Sequence, residues 1–177
     1  MKRVLTFIVG AAIVAGAVHV AAVWALPRVV MTKVMAAVAG DAKVNKFIEQ
    51  PLATASARRV VRPSPDLAYS ICILDLSKGA VRVQVPLTEP YTSVALYSST
   101  TDNYFVRNDR EAKGKKLDVV IVSKGGDAPA NVPEGADVVT APTAKGLVLV
   151  RRVVENPEAF PALDEVRKKA TCAPLQG

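Results

Sequence analysis

The 177-residue chain has one histidine, His19, two cysteines and an aromatic content of 5%. A single imidazole excludes a histidine triad, a multi-histidine zinc site and a histidine proton relay. The two thiols do not complete a tetrahedral zinc site without unusual carboxylate help. There is no G-x-x-x-x-G-K, no G-x-G-x-x-G and no internal repeat, so a nucleotide-cradling loop and a repeat architecture are both excluded. Ten glycines and twelve prolines are far from a collagen composition, and 50% hydrophobic residues exclude a disordered chain. The length fits one domain. No metal and no cofactor is expected.

Charge is missing from one long stretch. After Lys2 and Arg3, the 23 residues from Val4 to Leu26 contain no Asp, Glu, Lys or Arg, and Pro27 closes the run. A helix needs roughly 20 residues to cross the hydrocarbon core, where backbone amides must pair internally. Trp24 suits the headgroup boundary. Residues 1–27 are therefore expected to form a transmembrane signal anchor. A cleaved signal peptide is the alternative, because Val23-Trp24-Ala25 offers small residues to a signal peptidase. The run exceeds the about 7–15 apolar residues usual for such a segment. Lys2, Arg3 and the α-amine favour a cytoplasmic N-terminus, although Arg28 and Lys33 follow closely on the other side. The expectation is a single-pass protein of the bacterial inner membrane with the bulk of the chain in the periplasm. His19 falls within the span and is read as a neutral imidazole facing a partner helix or a carbonyl, in preference to a proton or cofactor ligand.

Residues 28–57 read as an amphipathic helix and linker. Met31, Val34, Met35, Val38 and Ala42 recur at three- and four-residue steps, the helix extends to about Ile48, and Pro51 ends it. That stripe suits a bilayer surface, a partner or the chain's own domain. Residues 58–177 are expected to form one exported domain. Val81, Val83 and Val85 alternate with Arg82 and Gln84, as a half-buried strand does. Further strands are read at Ala68–Leu76, around Val94 and Leu96, at Tyr104–Val106, at Leu117–Val122 and at Gly146–Val154. Turns are read at Ser123–Asp127 and Asn131–Gly135. Asn156-Pro157 opens a helix with Leu163, Val166 and Ala170 on one stripe. Short strands without βα alternation predict a mainly β, antiparallel β-sandwich or jelly-roll-like domain, preceded by one N-terminal transmembrane helix and followed by a short C-terminal helix.

In an oxidising periplasm the natural use of Cys72 and Cys172 is a disulfide; one buried and one loose thiol is the other reading. No histidine is available to activate a catalytic Cys72. Asp102 and Asp109 flank Tyr104-Phe105-Val106 and could serve as acid and base, but an extended stretch separates them by roughly 23 Å. Turn formation explains Asn103, Asn108 and Asp109 more simply. The basic clusters Arg58-Arg59-Arg62, Lys113-Lys115-Lys116, Arg151-Arg152 and Arg167-Lys168-Lys169 lack interleaved aromatics, so nucleic acid is not an expected partner. Anionic lipid or an acidic protein fits them better, and scattered solvated charge is the plain alternative. All 16 acids and 21 of the 23 Lys and Arg lie from Arg28 onward, a net charge of +5 for that part.

Two stretches carry a family resemblance. Arg62-Pro63-Ser64-Pro65-Asp66-Leu67-Ala68-Tyr69-Ser70, continuing to Leu74-Asp75-Leu76-Ser77-Lys78-Gly79, resembles the opening motif of the twelve-fifty-four family of bacterial domains of unknown function. Pro90-Tyr91-Thr92-Ser93-Val94, then Thr101-Asp102-Asn103-Tyr104-Phe105-Val106-Arg107-Asn108-Asp109, with Gly146 to Arg151 later, is similar to its short, membrane-anchored branch. The resemblance implies a mostly antiparallel β domain, with no activity to carry over. The chain lacks most loops of the longer members and their second domain, which favours a partnered protein over a self-contained enzyme.

The leading expectation is a β domain that binds or scaffolds a protein partner in the inner membrane or periplasm, as an accessory subunit of a membrane complex. The alternatives are a small-molecule or glycan-binding module and, less favoured, a carboxylate-dependent enzyme. Asp66, Tyr69, Asp75, Tyr91, Asp102, Asn103 and Tyr104 are the ligand- or partner-binding candidates.

Overall fold

The computed structural model describes residues 1–39, 44–54, 56–57, 62–126, 129 and 131–175. Asp41, Ala42 and Lys43 of the amphipathic stretch, Ala55 of the linker, Arg58 and Arg59 of the first basic cluster, and Asp127 lie outside the described residues. Helix α1 (Lys2–Ala39) is continuous and carries Pro27 inside it. Proline removes one backbone donor and crowds the preceding turn. Beside it, the Arg28 guanidinium donates to the Trp24 carbonyl and lies 4.1 Å from the Trp24 ring centroid. From Val4 to Leu26 the large apolar side chains of α1 are exposed. The helix is long and apolar enough to cross a membrane, with a mean hydropathy of 2.3 in its most apolar window.

Past Pro27 the character of α1 changes. Met31 is buried, Val34, Met35 and Val38 are half-buried, and α1 meets β2 (Leu67–Asp75). The amphipathic stripe thus packs on the chain's own domain. The helix ends earlier than its apolar spacing predicts, because Phe47–Glu49 is strand β1 instead of a last helical turn. Asn45, in the left-handed region at φ 56°, turns the chain there. Its side chain donates to the Asp75 carbonyl (2.8 Å) and accepts from the Asp75 amide (2.9 Å), which fixes the register of β1 against β2.

The remaining strands are β3 (Val81–Pro86), β4 (Thr92–Ser98), β5 (Asn103–Asn108), β6 (Lys116–Ser123), β7 (Asp137–Ala141), β8 (Lys145–Val153) and β9 (Thr171–Pro174). They form a five-stranded sheet in the order β1-β2-β8-β4-β5 and a four-stranded sheet in the order β7-β6-β3-β9. The first is antiparallel throughout. The second is mixed, because β6 and β7 pair in parallel across the long 124–136 connection. That pair departs from the all-antiparallel expectation. A connection of this length can carry the chain back along the sheet, as a tight hairpin cannot.

Alternate residues of the two sheets face each other. Cys72, Leu74, Val94, Leu96, Val148 and Val150 on one side meet Val81, Val83, Val85, Leu117, Val119 and Ile121 on the other. Small β-branched side chains suit a pleated interface and need little aromatic bulk. A disulfide between Cys72 and Cys172 joins β2 to β9 across this core, with Cα atoms 6.6 Å apart. Asn156 accepts from the Ala159 amide at 2.8 Å and starts a 3-10 turn that leads into α2 (Phe160–Arg167). Leu163 of α2 packs with Ala68, Val154, Leu52 and Phe160, closing one end of the sandwich.

The bridge spans 100 residues of sequence, so chain entropy assigns it on the order of 4–5 kcal/mol. Cys72→Ala/Cys172→Ala should lower the urea midpoint by that equivalent. An unchanged midpoint would show that the sheets hold together without it.

Candidate functional site

Strand register sorts the candidate residues by place. Leu67 pairs with Val153 and Thr92 with Arg152 at one end of the five-stranded sheet, whereas Asp75 pairs with Lys145 and Ser98 with Gly146 at the other. Asp66, Tyr69 and Tyr91 therefore lie at or near the first end, and Asp75, Asp102 and Asn103 at the second. Tyr104 follows Asn103 on β5 near the second end, but its ring packs on the core and burial pushes its phenol up to about 12. The seven do not converge on one cleft, and none of them lines either of the two grooves described below.

Their bonds are local. The Tyr69 hydroxyl accepts from the Ser64 amide at 3.0 Å. Asp75 accepts from the Ser77 amide at 2.9 Å, and hydrogen bonds from Ser77 hold its carboxyl below the ordinary range. Asp102 accepts from Thr100 (2.5 Å) and Ser98 (3.2 Å), and those two hydroxyls lower its pKa in the same way. The Asn103 amide bridges the Leu96 and Phe105 carbonyls at 3.0 and 3.3 Å, where the β4–β5 register shifts. Asp109 accepts from the Thr92 amide at 3.3 Å. Each of these groups fixes a turn or a strand end.

Two arginines of the basic clusters, Arg152 and Arg167, are buried in the protein and are not part of a basic surface. Arg152 occupies the same face of β8 as Val148 and Val150, and its side chain is fully buried. Its Nη2 donates to the Pro86 carbonyl at 3.3 Å, while Nε and Nη1 have no partner among the described residues. Burial lowers its pKa to about 10, against the favourable charge of Glu49, and the nearby Arg167 lowers it further. Arg167 of α2 is buried as well. It bonds Asp164 (2.5 Å), the Gln50 carbonyl (2.9 Å) and the Tyr69 carbonyl (3.3 Å), and lies 3.5 Å from Glu49. Ser70, fully buried on β2, donates to the same Glu49 carboxylate. One carboxylate from a three-residue edge strand thus contacts Arg167 and Ser70 directly and acts on Arg152 through its charge.

The long sides of the sandwich also differ. On one, Asp137 of β7 takes Arg107 of β5 at 2.9 Å and Lys113 at 3.0 Å, which ties the two sheets together. On the other, the edge strands β1 and β9 flank an open groove of about 490 Å³, walled by Val44, Phe47, Ala170 and Cys172, with Lys46 and Lys168 on its rim. A second groove, of about 340 Å³, lies on the outer face of the four-stranded sheet beside Arg82, Gln84 and Thr171. There Asp118 is raised by burial, but bonds from Arg82 (2.7 and 2.9 Å), Gln84 (3.0 Å) and Lys116 outweigh it and lower the pKa overall.

Removing Glu49 withdraws one of the two carboxylates beside Arg167 and the favourable field at Arg152 while Asp164 stays in place, a loss of about 1–3 kcal/mol by comparison with other charged hydrogen-bond partners removed from an interior. Glu49→Gln should destabilise the chain on that scale, while Arg152→Met, close in volume, should leave stability unchanged or raise it. Urea unfolding of both variants checks this; equal losses would mean that Arg152 contributes net stability. The lowered carboxyls of Asp75, Asp102, Asp118, Asp137 and Asp164 set the sign of the acid response. Folded values below the ordinary 3.8 give stability that is present above that pH and lost as pH falls through the folded values. Unfolding midpoints measured across pH 2 to 5 should fall only in the acid part of that range.

None of the curated proteins matches the chain. Among solved structures, it is similar to the VPA0106 protein from Vibrio parahaemolyticus, with a TM-score of 0.64 and 16% identity over 86% of this chain and 37% of that one. An uncharacterized protein from Burkholderia cenocepacia aligns at 18% identity over 64% of this chain and 33% of that one, with a TM-score of 0.46. The chain thus spans about a third of the length of the solved chains it matches, and the first likeness shows a shared fold. A family model described as protein of unknown function (DUF1254) matches residues 44–174, which hold every strand of both sheets. The chain belongs to the DUF1254 family.

Proposed function

We propose that the chain is a single-pass inner-membrane protein whose β domain lies in the periplasm and binds or scaffolds a protein partner of the cell envelope, as an accessory subunit of a membrane complex. The observation that carries this reading is α1. Its 23 charge-free residues from Val4 to Leu26 leave their large apolar side chains exposed, while the same helix buries Met31 on the domain. Water disfavours so long an apolar surface, and lipid accepts it. The Cys72–Cys172 disulfide supports the exported side, since such bridges persist in oxidising compartments.

The groove between β1 and β9 is the surface best suited to a protein partner. Both strands end their sheets on the same side, so each keeps one row of backbone groups unpaired by a neighbouring strand among the described residues. An added strand could use those groups and place apolar side chains against Phe47 and Ala170. Lys46 on the rim favours an acidic neighbour.

Extraction of the full chain in mild detergent should yield one stoichiometric complex with an envelope protein. Lys46→Glu/Thr171→Glu should reduce the bound partner at least about tenfold. Recovery of the full chain as a soluble monomer without detergent overturns the anchor. A lone species in every detergent overturns the partner.

A further inference from the structure

Strand register gathers several unpaired cations at one end of the sandwich. Lys78 follows β2, Lys145 opens β8 opposite Asp75, and Lys124 follows β6. Ser123 of β6 pairs with Ala141 of β7, so that edge of the second sheet ends here too. All three lysines are exposed and form no ion pair among the described residues. The β4–β5 hairpin, Ser98 to Asp102, turns at this same end, beyond β8 in the strand order, and its exposed or half-buried Ser99–Thr101 tip is followed by the exposed Asp102. Thr101 holds a left-handed φ of 72°, and the Ser99 amide is fixed by Thr143 at 2.9 Å.

Helix α1 passes this same end. Arg28 is among the charges acting on the Asp102 carboxyl, and Asn45, six residues beyond α1, is bonded to Asp75. The helix is unbroken through Pro27, so no linker separates the span from the domain. Five residues from Leu26 to the buried Met31 rise only about 7.5 Å. The headgroup layer on each side of a bilayer is about 5–8 Å thick. A domain held that close must touch it.

Resting on the anchored reading above, we infer that the Lys78–Lys124–Lys145 end of the sandwich, with Arg28 and the Ser99–Thr101 tip, sits in the headgroup layer and binds phospholipid phosphates. Lysine and guanidinium groups meet the negative phosphates, and the tip hydroxyls donate to the same oxygens. The α2 end then points away from the bilayer. The nine residues of β8 set the two ends about 26 Å apart.

The test uses the full chain in phosphatidylglycerol nanodiscs that contain a gadolinium-chelate headgroup lipid. Both native cysteines are bridged, so Ser99→Cys, Glu158→Cys and Val14→Cys each provide one free thiol for a nitroxide. Relaxation enhancement at position 99 should exceed that at 158 by at least about fivefold, and the 14 label should lie in lipid. Lys78→Glu/Lys124→Glu/Lys145→Glu should at least halve the 99-to-158 contrast. A water-exposed label at 14 removes the anchored reading itself. A lipid-buried label at 14 with equal enhancement at 99 and 158 leaves the anchor standing and overturns the headgroup contact. A contrast untouched by the triple variant overturns the role of the cations.

Discussion

Two buried guanidiniums lie in the field of one carboxylate, Glu49, which pairs with Arg167 and acts on Arg152 from farther off, and much of the architecture at that end serves the arrangement. Glu49 arrives on β1, a strand of only three residues held by the Asn45 turn. Arg167 arrives on α2 more than a hundred residues later, and Arg152 stands on the central β8 between them in sequence. The Nη1 of Arg167 donates to the Gln50 and Tyr69 carbonyls, so the segment after β1 is also held by the C-terminal helix. Desolvating two arginines is costly, and what returns that cost is the full set of bonds around them. Arg167 has four polar partners, whereas Arg152 has one, and its Nε and Nη1 have none among the described residues. Loss of a single side chain in the β1–α2 region therefore leaves a buried charge with fewer partners.

The rest of the interior follows a plainer rule. Valine, leucine and isoleucine at alternate positions fill the space between the sheets, and the disulfide crosses it where β2 faces β9. Among the described residues β9 pairs with β3 alone. The bridge and that one ladder tie the C-terminal strand to the body, while the β5–β7 side has its own staple at Asp137. The two long sides of one sandwich thus have different chemistry, with cross-sheet ion pairs on one and a covalent bond beside an open groove on the other.

Alternation in the sequence located the longer strands, β2, β3, β6 and β8, to within a residue or two, because each buries one face or both against a partner sheet. It did not locate β1, β7 or β9. These have three to five residues and sit at sheet edges, where neighbours decide conformation more than pattern does. The β6–β7 parallel pair was hidden for the same reason. Helix α1 was legible as far as its apolar run, but Phe47 and Ile48 continued the apolar spacing into what became a strand. Of the residues read as turn formers, Asn108 caps a turn by accepting from the Arg110 amide, whereas Asp109 accepts from the Thr92 amide and Asn103 bonds two strand carbonyls. The aspartates that close local turns are Asp75 and Asp102. Arg152 had a visible signal, since it shares the phase of Val148 and Val150 and so had to face the core. Its counter-charge could not be read, because nothing local relates position 152 to position 49.

Continuity of α1 has a consequence for how a partner would be met under the anchored reading. A flexible linker would let the domain sample many heights and tilts above the bilayer. A helix that leaves the apolar run and buries Met31 about a turn and a half later allows few. The groove between β1 and β9 then stands at a fixed height, with its Asn45 end nearest the basic apex and its Glu49 end nearest α2. A partner already confined to the same membrane would find the groove in a restricted orientation, so less rotational freedom is lost on association than for two freely diffusing proteins. Modest contacts along a three-residue edge strand and a four-residue one can then suffice for a specific complex, although in solution the same short edges would hold a partner only weakly.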